Sequence, residues 1–458
     1  MTKLVSTNPS KNYEIIGEVQ ISSDEEIKIK VEEANKAKTT WKELGVKNRI
    51  KFLKPVLEEF KKRNREIAEL ITNEMGKTIS HSIEEVNALI EEFEWFINNV
   101  ESAVADEITH EDENSIHKVL HEPFGTAAVI TPWNYPFEMA IWGIIPNLLV
   151  GNTVVFKVSE ECPLSGKLIE KIMNNHDLPK GVFSEVYGAG DVGEKLAKSE
   201  VNIIWFTGSS KVGKHLYKIA AEKFIKVILE MGGSNPCIVF EDVDLEEVIP
   251  AIYGGRFSNC GQVCDATKRL IVHNSIFDRV IERLVKIISG KKVGNPFDKD
   301  TDIGSLVAKR QQVLIQEQLK DALDKGAKLV IGGKQPEKLK GAYYEPTILI
   351  NIKRNMRIWQ EEVFGPVLPV VKFSTEEEAV ELANDTSYGL GSKIFSKDVE
   401  RAKRVAFRIH AGTVEINKGN RWMCCNPFGG YKNSGMGREH GIMGFRELCQ
   451  VKVVSMNK

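Results

Sequence analysis

Gly261-Gln262-Val263-Cys264 stands just before the apolar run Leu270-Ile271-Val272, in what reads as a loop leading into a strand. The glycine lets the chain turn tightly, so the Cys264 sulfur is offered at a loop end. Upstream, Leu229-Glu230-Met231-Gly232-Gly233 offers a carboxylate at the end of another apolar run. A thiol attacks a carbonyl carbon as its thiolate, and a carboxylate can take a proton from water. Together they suit a covalent intermediate that is formed and then hydrolysed. A free cysteine is usually a small buried hydrophobe, so this reading depends on what accompanies it. Cys260 is the alternative nucleophile, and the Cys-x3-Cys spacing leaves open whether the two sulfurs pair under oxidation.

Attack on a carbonyl leaves an oxyanion that needs donors. Asn134, between Trp133 and Tyr135 and just after the strand candidate Ala127 to Ile130, can donate from its side-chain amide, with the Cys264 backbone N–H as second donor. Sulfur and carboxylate cannot accept hydride, so an oxidation here requires a dinucleotide. Gly208-Ser209-Ser210-Lys211-Val212-Gly213 follows a strand candidate and opens a helix, which suits a phosphate at a helix N-terminus, although the GxGxxG pattern is absent.

These groups need a large scaffold. At 458 residues the chain suggests two or three domains. Apolar residues make up 42% and charged ones 28%, and 62 basic side chains balance 64 acidic ones, which argues against disorder and against a nucleic-acid partner. Seven cysteines are scattered without zinc or disulfide spacing, so no metal site is expected and a reducing compartment, most simply the cytoplasm, is. Met1 to Tyr13 is polar and lacks the apolar core of a secretory signal. Phe137 to Phe156 has the length of a membrane span, but Glu138, Pro146, Asn147, Gly151 and Asn152 interrupt it. A buried helix ending near Asn147 and a strand over Thr153 to Phe156 fit better, so no membrane partner is expected.

The first hundred residues read as helical, starting at the capping string Ser23-Asp24-Glu25-Glu26 and with a break or kink expected at Pro55. From Ala127 onward, short apolar runs alternate with helices. The runs Ala127 to Ile130, Thr153 to Phe156, Val182 to Tyr187, Ile203 to Phe206 and Val227 to Leu229 form one series. Ile238 to Phe240, Leu270 to Val272, Leu329 to Ile331, Val367 to Val371, Gly391 to Phe395 and Gly412 to Ile416 form a second, with amphipathic helices such as Ile276 to Ile288 between them. The alternation predicts two α/β lobes built on parallel sheets, one of them Rossmann-like, hinged near Gly232-Gly233.

Four more strings accompany the base and the cysteine: Thr131-Pro132-Trp133-Asn134-Tyr135-Pro136, Phe206-Thr207-Gly208-Ser209 running to Gly213, Glu361-Glu362-Val363-Phe364-Gly365-Pro366, and Pro427-Phe428-Gly429-Gly430 running to Gly437-Arg438-Glu439. In this order, across nearly the whole chain, they resemble the aldehyde dehydrogenase superfamily. The resemblance implies Cys264 as nucleophile, Asn134 as oxyanion donor, Glu230 as the base that hydrolyses the thioester, and Glu439 as a group moving protons away from that base. Relatives that transfer the acyl group to coenzyme A typically lack the glutamate at Glu230, so a free acid is the expected product. On the cofactor side the resemblance places Thr131, Trp133, Gly208, Ser209 and Gly213, with Lys157 and Glu160 at the adenine ribose and Glu362 and Phe364 at the nicotinamide ribose and ring. A carboxylate at Glu160 repels a 2′-phosphate, so NAD is favoured, with NADP the alternative.

Tyr135, Trp142, Trp422 and Phe428 match positions lining the aldehyde tunnel, and Arg421 beside them could grip a substrate carboxylate. The chain looks most like the succinate-semialdehyde branch, with non-phosphorylating glyceraldehyde-3-phosphate or lactaldehyde oxidation as the runner-up. A structural or ligand-binding homologue without activity would be expected to have lost Cys264 or Glu230. Gly143 stands where many relatives carry a lysine, which puts that proton route in doubt. The implied domains are residues 1–105 with 125–232 for the cofactor, 233–446 for catalysis, and a β arm of 106–124 with 447–458. Alternating Val451, Val453 and Val454 suit an edge strand joining subunits into a homodimer or homotetramer.

Overall fold

The computed structural model describes residues 2–417 and 423–458. Two open sheets carry the α/β organisation. The first has the strand order Gly435–Met436, Lys226–Glu230, Ile203–Thr207, Thr126–Ile130, Thr153–Lys157, Phe183–Val186. All its pairings are parallel except that of Gly435–Met436 with Lys226–Glu230. Thr126–Ile130, Thr153–Lys157 and Ile203–Thr207 are buried along their whole length, as a sheet covered on both faces requires. From Thr126–Ile130 the chain builds outward on one side and then returns to lay Ile203–Thr207 on the other. Such a reversal opens a crevice beyond the carboxyl ends of the strands. Thr131, Lys157, Gly208 and Glu230 lie at those ends.

The second sheet has the order Lys328–Ile331, Thr347–Ile350, Val367–Phe373, Thr267–His273, Asn235–Val239, Gly391–Phe395, Thr413–Ile416. Only the outermost pair, Lys328–Ile331 with Thr347–Ile350, is antiparallel. The chain leaves the first sheet at Glu230 and enters the second at Asn235, so it crosses at the Gly232-Gly233 pair. Cys264 ends the loop that feeds Thr267–His273. A third sheet joins Glu107–Glu111, Ser115–Pro123 and Cys449–Asn457, all antiparallel, and leaves Val451 and Val453 65% and 62% exposed.

Three local expectations need correction. Residues before Ser23 form a hairpin, Lys3–Asn8 with Glu14–Gln20. Pro55 lies inside the helix Gly45–Lys62 without ending it. Pro55 and Lys51 are both exposed, so water can take the carbonyl that the proline leaves without a partner. The buried helix Pro136–Val150 passes Asn147 and stops at Gly151, whose φ of +109° suits glycine. Among the described residues no helix is long and apolar enough to cross a membrane, and no three His, Cys, Asp or Glu side chains gather into a metal site.

Candidate active site

One cleft of about 610 Å³ is lined from both sheets, with Lys157 and Glu160 among its walls, Tyr135, Trp142 and Phe428 among others, and both Cys264 and Glu230 on its surface. The Cys264 loop owes its shape to an unusual backbone. Asn259, Cys260 and Gly261 are all left-handed, with φ of 49°, 54° and 73°. A Cβ on Gly261 would lie 2.3 Å from the Gly365 carbonyl oxygen, so no other residue fits there. Gln262 is buried, and its Oε1 accepts from the Val307 N–H at 3.0 Å. Asn259 Nδ2 donates to the Asn134 carbonyl at 3.0 Å, while Asn134 Nδ2 donates to the Gln262 carbonyl at 3.1 Å. These bonds lock the Asn134 turn to the cysteine loop. One of the two Asn134 amide hydrogens is engaged there, and the other can serve an oxyanion.

Cys260 is a different kind of thiol. It is buried in the core of the second lobe, where burial pushes it up to about 12, whereas Cys264 lines the cleft. Both are free, so the structure contains no Cys260–Cys264 pair. Burial also raises the Cys264 thiol well above its ordinary value, reinforced by Glu230 and Asp265 and opposed by Lys268. Lys268 is itself buried. It donates to Glu362 Oε1 at 2.9 Å and to the Cys264 carbonyl at 3.4 Å, which ties the Glu362 loop to the cysteine loop.

Glu230 ends its strand in a buried position, and burial first, then Glu439, Glu362 and Asp265, raise its carboxyl well above the usual range. Its Oε1 has no hydrogen-bond partner among the described residues. Glu439 comes close because Gly435–Met436 adds to the sheet edge, pairing Gly435 with Glu230 itself. Burial raises Glu439 to about 8, and the Thr207 hydroxyl, 3.5 Å from Glu439 Oε1, works against that rise. Two buried carboxyls with raised pKa values side by side suit the proton transfers of a hydrolytic step. At Gly143 a Cβ would fall 2.5 Å from Val129 and 2.8 Å from the Trp205 ring, so the helix packs too tightly here for a longer side chain.

At the other end of the cleft, Lys157 Nζ lies 3.4 Å from Glu160 Oε2. Burial works to raise Glu160, and the Lys157 charge together with hydrogen bonds outweighs it, so the carboxyl stays below its ordinary value and ionised at neutral pH. Gly208 and Ser209 line the cleft, and Ser209 caps the helix Ser210–Lys223 by accepting from the Val212 N–H at 3.4 Å. Gly213 lies one turn on, where a Cβ would meet the Met231 sulfur at 2.2 Å, so glycine lets the helix lie close to the strand end. Buried Thr131 Oγ1 has no partner among the described residues. Trp133 and Phe364 meet edge to face at 5.4 Å, and Glu362 Oε1 accepts from the Gly233 N–H at 3.2 Å. Gly190 and Gly193, beside this end, had given no sequence signal.

The throat beyond Cys264 is aromatic: Tyr135, Trp142 and Phe428 line it, the last two meeting at 5.8 Å. Arg421 and Trp422 lie outside the described residues. Sequence reasoning missed the acids of this throat. Glu138 and Asp265 line it, and Glu92, behind Trp142, accepts from the indole N–H. Burial and then the charge of Glu138 raise Glu92 well above its ordinary value; burial and then Glu85 raise Glu138 to about 8, against the pull of Lys77. Glu138 entered the sequence reading only as an interruption of an apolar stretch.

Comparison with known proteins agrees with this fold. Betaine aldehyde dehydrogenase of Bacillus subtilis (strain 168) is 40% identical over 425 residues, 92% of this chain and 87% of that protein. Peroxisomal aminoaldehyde dehydrogenase 1 of Pisum sativum is 36% identical over 469 residues, covering 99% and 92%. Among solved structures, betaine aldehyde dehydrogenase of Staphylococcus aureus in complex with NAD+ superposes with a TM-score of 0.96 at 35% identity, covering 100% of this chain and 92% of that one. An NADP-dependent enzyme of E. coli gives 0.96 at 31%, covering 100% and 95%. The Bacillus, Pisum and Staphylococcus proteins are named for betaine and amino aldehydes, which corrects the expectation of a succinate-semialdehyde branch. Residues 2–454 match the aldehyde dehydrogenase family, and the chain belongs to it.

Proposed function

We propose that the enzyme oxidises a small aldehyde bearing a cationic nitrogen to its carboxylate, with NAD as hydride acceptor. The observation that carries the substrate class is the throat: aromatic walls attract a cation through their faces, and the carboxyls of Glu138 and Asp265 line the same wall, Glu138 gaining its negative charge as pH rises through about 8. The names of the relatives point the same way. Cys264, after losing its proton to solvent in the cleft, adds as the thiolate to the aldehyde carbon, and Asn134 Nδ2 with the Cys264 N–H holds the resulting oxyanion. NAD, which Lys157, Glu160, Glu362 and Phe364 would hold, would supply the hydride acceptor needed for this thiohemiacetal to become a thioester. Glu230 then draws a proton from water, whose oxygen displaces the sulfur and releases the acid. Glu439 takes the proton onward from Glu230.

Betaine aldehyde and its uncharged isostere 3,3-dimethylbutanal separate charge from shape. The cation is expected to show a kcat/KM at least ~10-fold higher, equivalent to ~1.4 kcal/mol. The ratio should climb as pH rises through about 8, because Glu138 is neutral below its raised pKa and anionic above it. Taking the ratio cancels ionisations that both substrates share. Glu138→Gln should flatten the climb; an unchanged profile would remove Glu138 from substrate recognition. The panel also includes succinate semialdehyde, glyceraldehyde 3-phosphate and lactaldehyde. Should succinate semialdehyde be the best substrate, Arg421 becomes its anchor, and Arg421→Leu would raise KM roughly ten- to a hundredfold, ~1.5–3 kcal/mol for a charge-assisted bond.

What supports NAD over NADP is the ionised Glu160, 41% exposed at its side chain. Glu160→Ser is expected to improve kcat/KM with NADP by roughly tenfold or more, since repulsion of a 2′-phosphate in a partly solvated site amounts to ~1–3 kcal/mol. A wild-type preference for NADP would overturn the argument. The exposed valines of Cys449–Asn457 support assembly of a homodimer or homotetramer through that edge. Sedimentation of a Val451→Lys, Val453→Lys variant tests it, with smaller particles expected.

A further inference from the structure

The helix Pro136–Val150 begins without local help. Pro136 has no N–H, and the residue before the helix, Tyr135, makes no side-chain cap. The next two N–H groups, of Phe137 and Glu138, are satisfied from a distant helix: Glu85 Oε1 accepts them at 3.1 and 3.4 Å. Glu85 lies in the helix Ile79–Ala103, and its charge is balanced by Lys77, whose Nζ is 2.6 Å from Glu85 Oε2; both side chains are 0% exposed. The same Lys77 Nζ sits 3.5 Å from the centre of the Tyr135 ring.

Lys77 is held in turn from the second lobe. The Ser305 N–H donates to the Gly76 carbonyl at 3.0 Å, and the Ile79 N–H donates to the Pro296 carbonyl at 2.8 Å. Gly76, at φ +78°, could carry no Cβ, which would meet Ser305 Oγ at 2.0 Å. Asn134 is therefore clamped from two directions. Asn259 and Gln262 hold it on the side of Cys264, while Lys77 and Glu85 hold the residues that follow it.

We propose that Lys77 and Glu85 are positioning residues for catalysis, setting Asn134 and Tyr135 against Cys264 through the first turn of the helix Pro136–Val150. The assignment rests on the reading of Cys264 and Asn134 given above. A buried ion pair is weak evidence for stability by itself, because desolvation offsets much of the attraction. What this one contributes is acceptor geometry at one helix end and a fixed ring beside the oxyanion donor.

Removing one charge alone would strand the other in the core, so the informative variants are the neutral doubles Lys77→Met/Glu85→Gln and Lys77→Met/Glu85→Leu. They are alike in charge, and they differ in whether an acceptor remains for Phe137 and Glu138. With saturating betaine aldehyde and NAD, stopped-flow NADH formation should show a burst at least tenfold slower in the Leu double than in the Gln double. NAD affinity should agree within about twofold, and melting temperatures should differ by only a few degrees. Equal bursts in the two doubles would overturn the assignment, as would a slower burst accompanied by a matching loss of NAD affinity and stability. A wild-type enzyme that forms no NADH from any aldehyde in the panel would instead overturn the proposed function, and this assignment with it.

Discussion

Cys264→Ala is expected to cut aldehyde-dependent NADH formation by more than about a thousandfold, because the covalent route disappears with the sulfur and neither base nor oxyanion donors can replace it. Affinity for NAD should be nearly unchanged: the Trp133–Phe364 pair, the Lys157–Glu160 pair and the capped helix at Ser209 remain in place. Cofactor titration alongside steady-state rates separates the two effects. Cys260→Ala should retain turnover, since that thiol packs in the core of the second lobe and does not reach the cleft. A Cys264→Ala enzyme running near the wild-type rate would mean that another group is the nucleophile.

Glu230→Gln is expected to keep a rapid burst of NADH and then turn over ~10²–10⁴-fold more slowly, the range that general-base catalysis contributes. The amide cannot take a proton from water, yet the thiol addition and the Asn134 donor are untouched. Burst amplitude near one equivalent per active site, followed by a slow linear phase, is the signature of acyl-enzyme accumulation. If the burst vanished together with turnover, Glu230 would also be needed earlier, to take the proton from a thiol that burial holds well above its ordinary pKa.

The candidate site residues were legible in the sequence, because each lies in a short string whose local form is itself the signal. Cys264 follows a glycine that admits no side chain, Glu230 ends an apolar run, and Asn134 follows another. The parallel sheets were legible for a similar reason, since strands buried on both faces are short and continuously apolar. What escaped was the long-range support. Glu85 and Lys77 lie in a charged stretch that reads like any helix surface, and only the fold reveals that both are fully buried. Gly435–Met436 is too short to announce itself as a strand. The helix does not break at Pro55: the sequence shows the missing donor but not the solvent that makes its loss tolerable. The substrate branch is corrected by the names of the relatives, and the acids lining the throat come from separate elements that no single string in the sequence announces.

The pairing of Gly435–Met436 with Leu229–Glu230 also bears on how the molecule is made. During synthesis the cofactor sheet can assemble as soon as Lys226–Glu230 has emerged, but its outer edge then stays open until more than two hundred further residues have been added. In that interval Glu230 would border an unpaired strand, and an edge of this kind invites pairing with another nascent chain. Arrival of the late segment closes that edge and brings Glu439 beside Glu230. On the roles proposed for Glu230 and Glu439, competence for acid release would be acquired only at this last stage of folding.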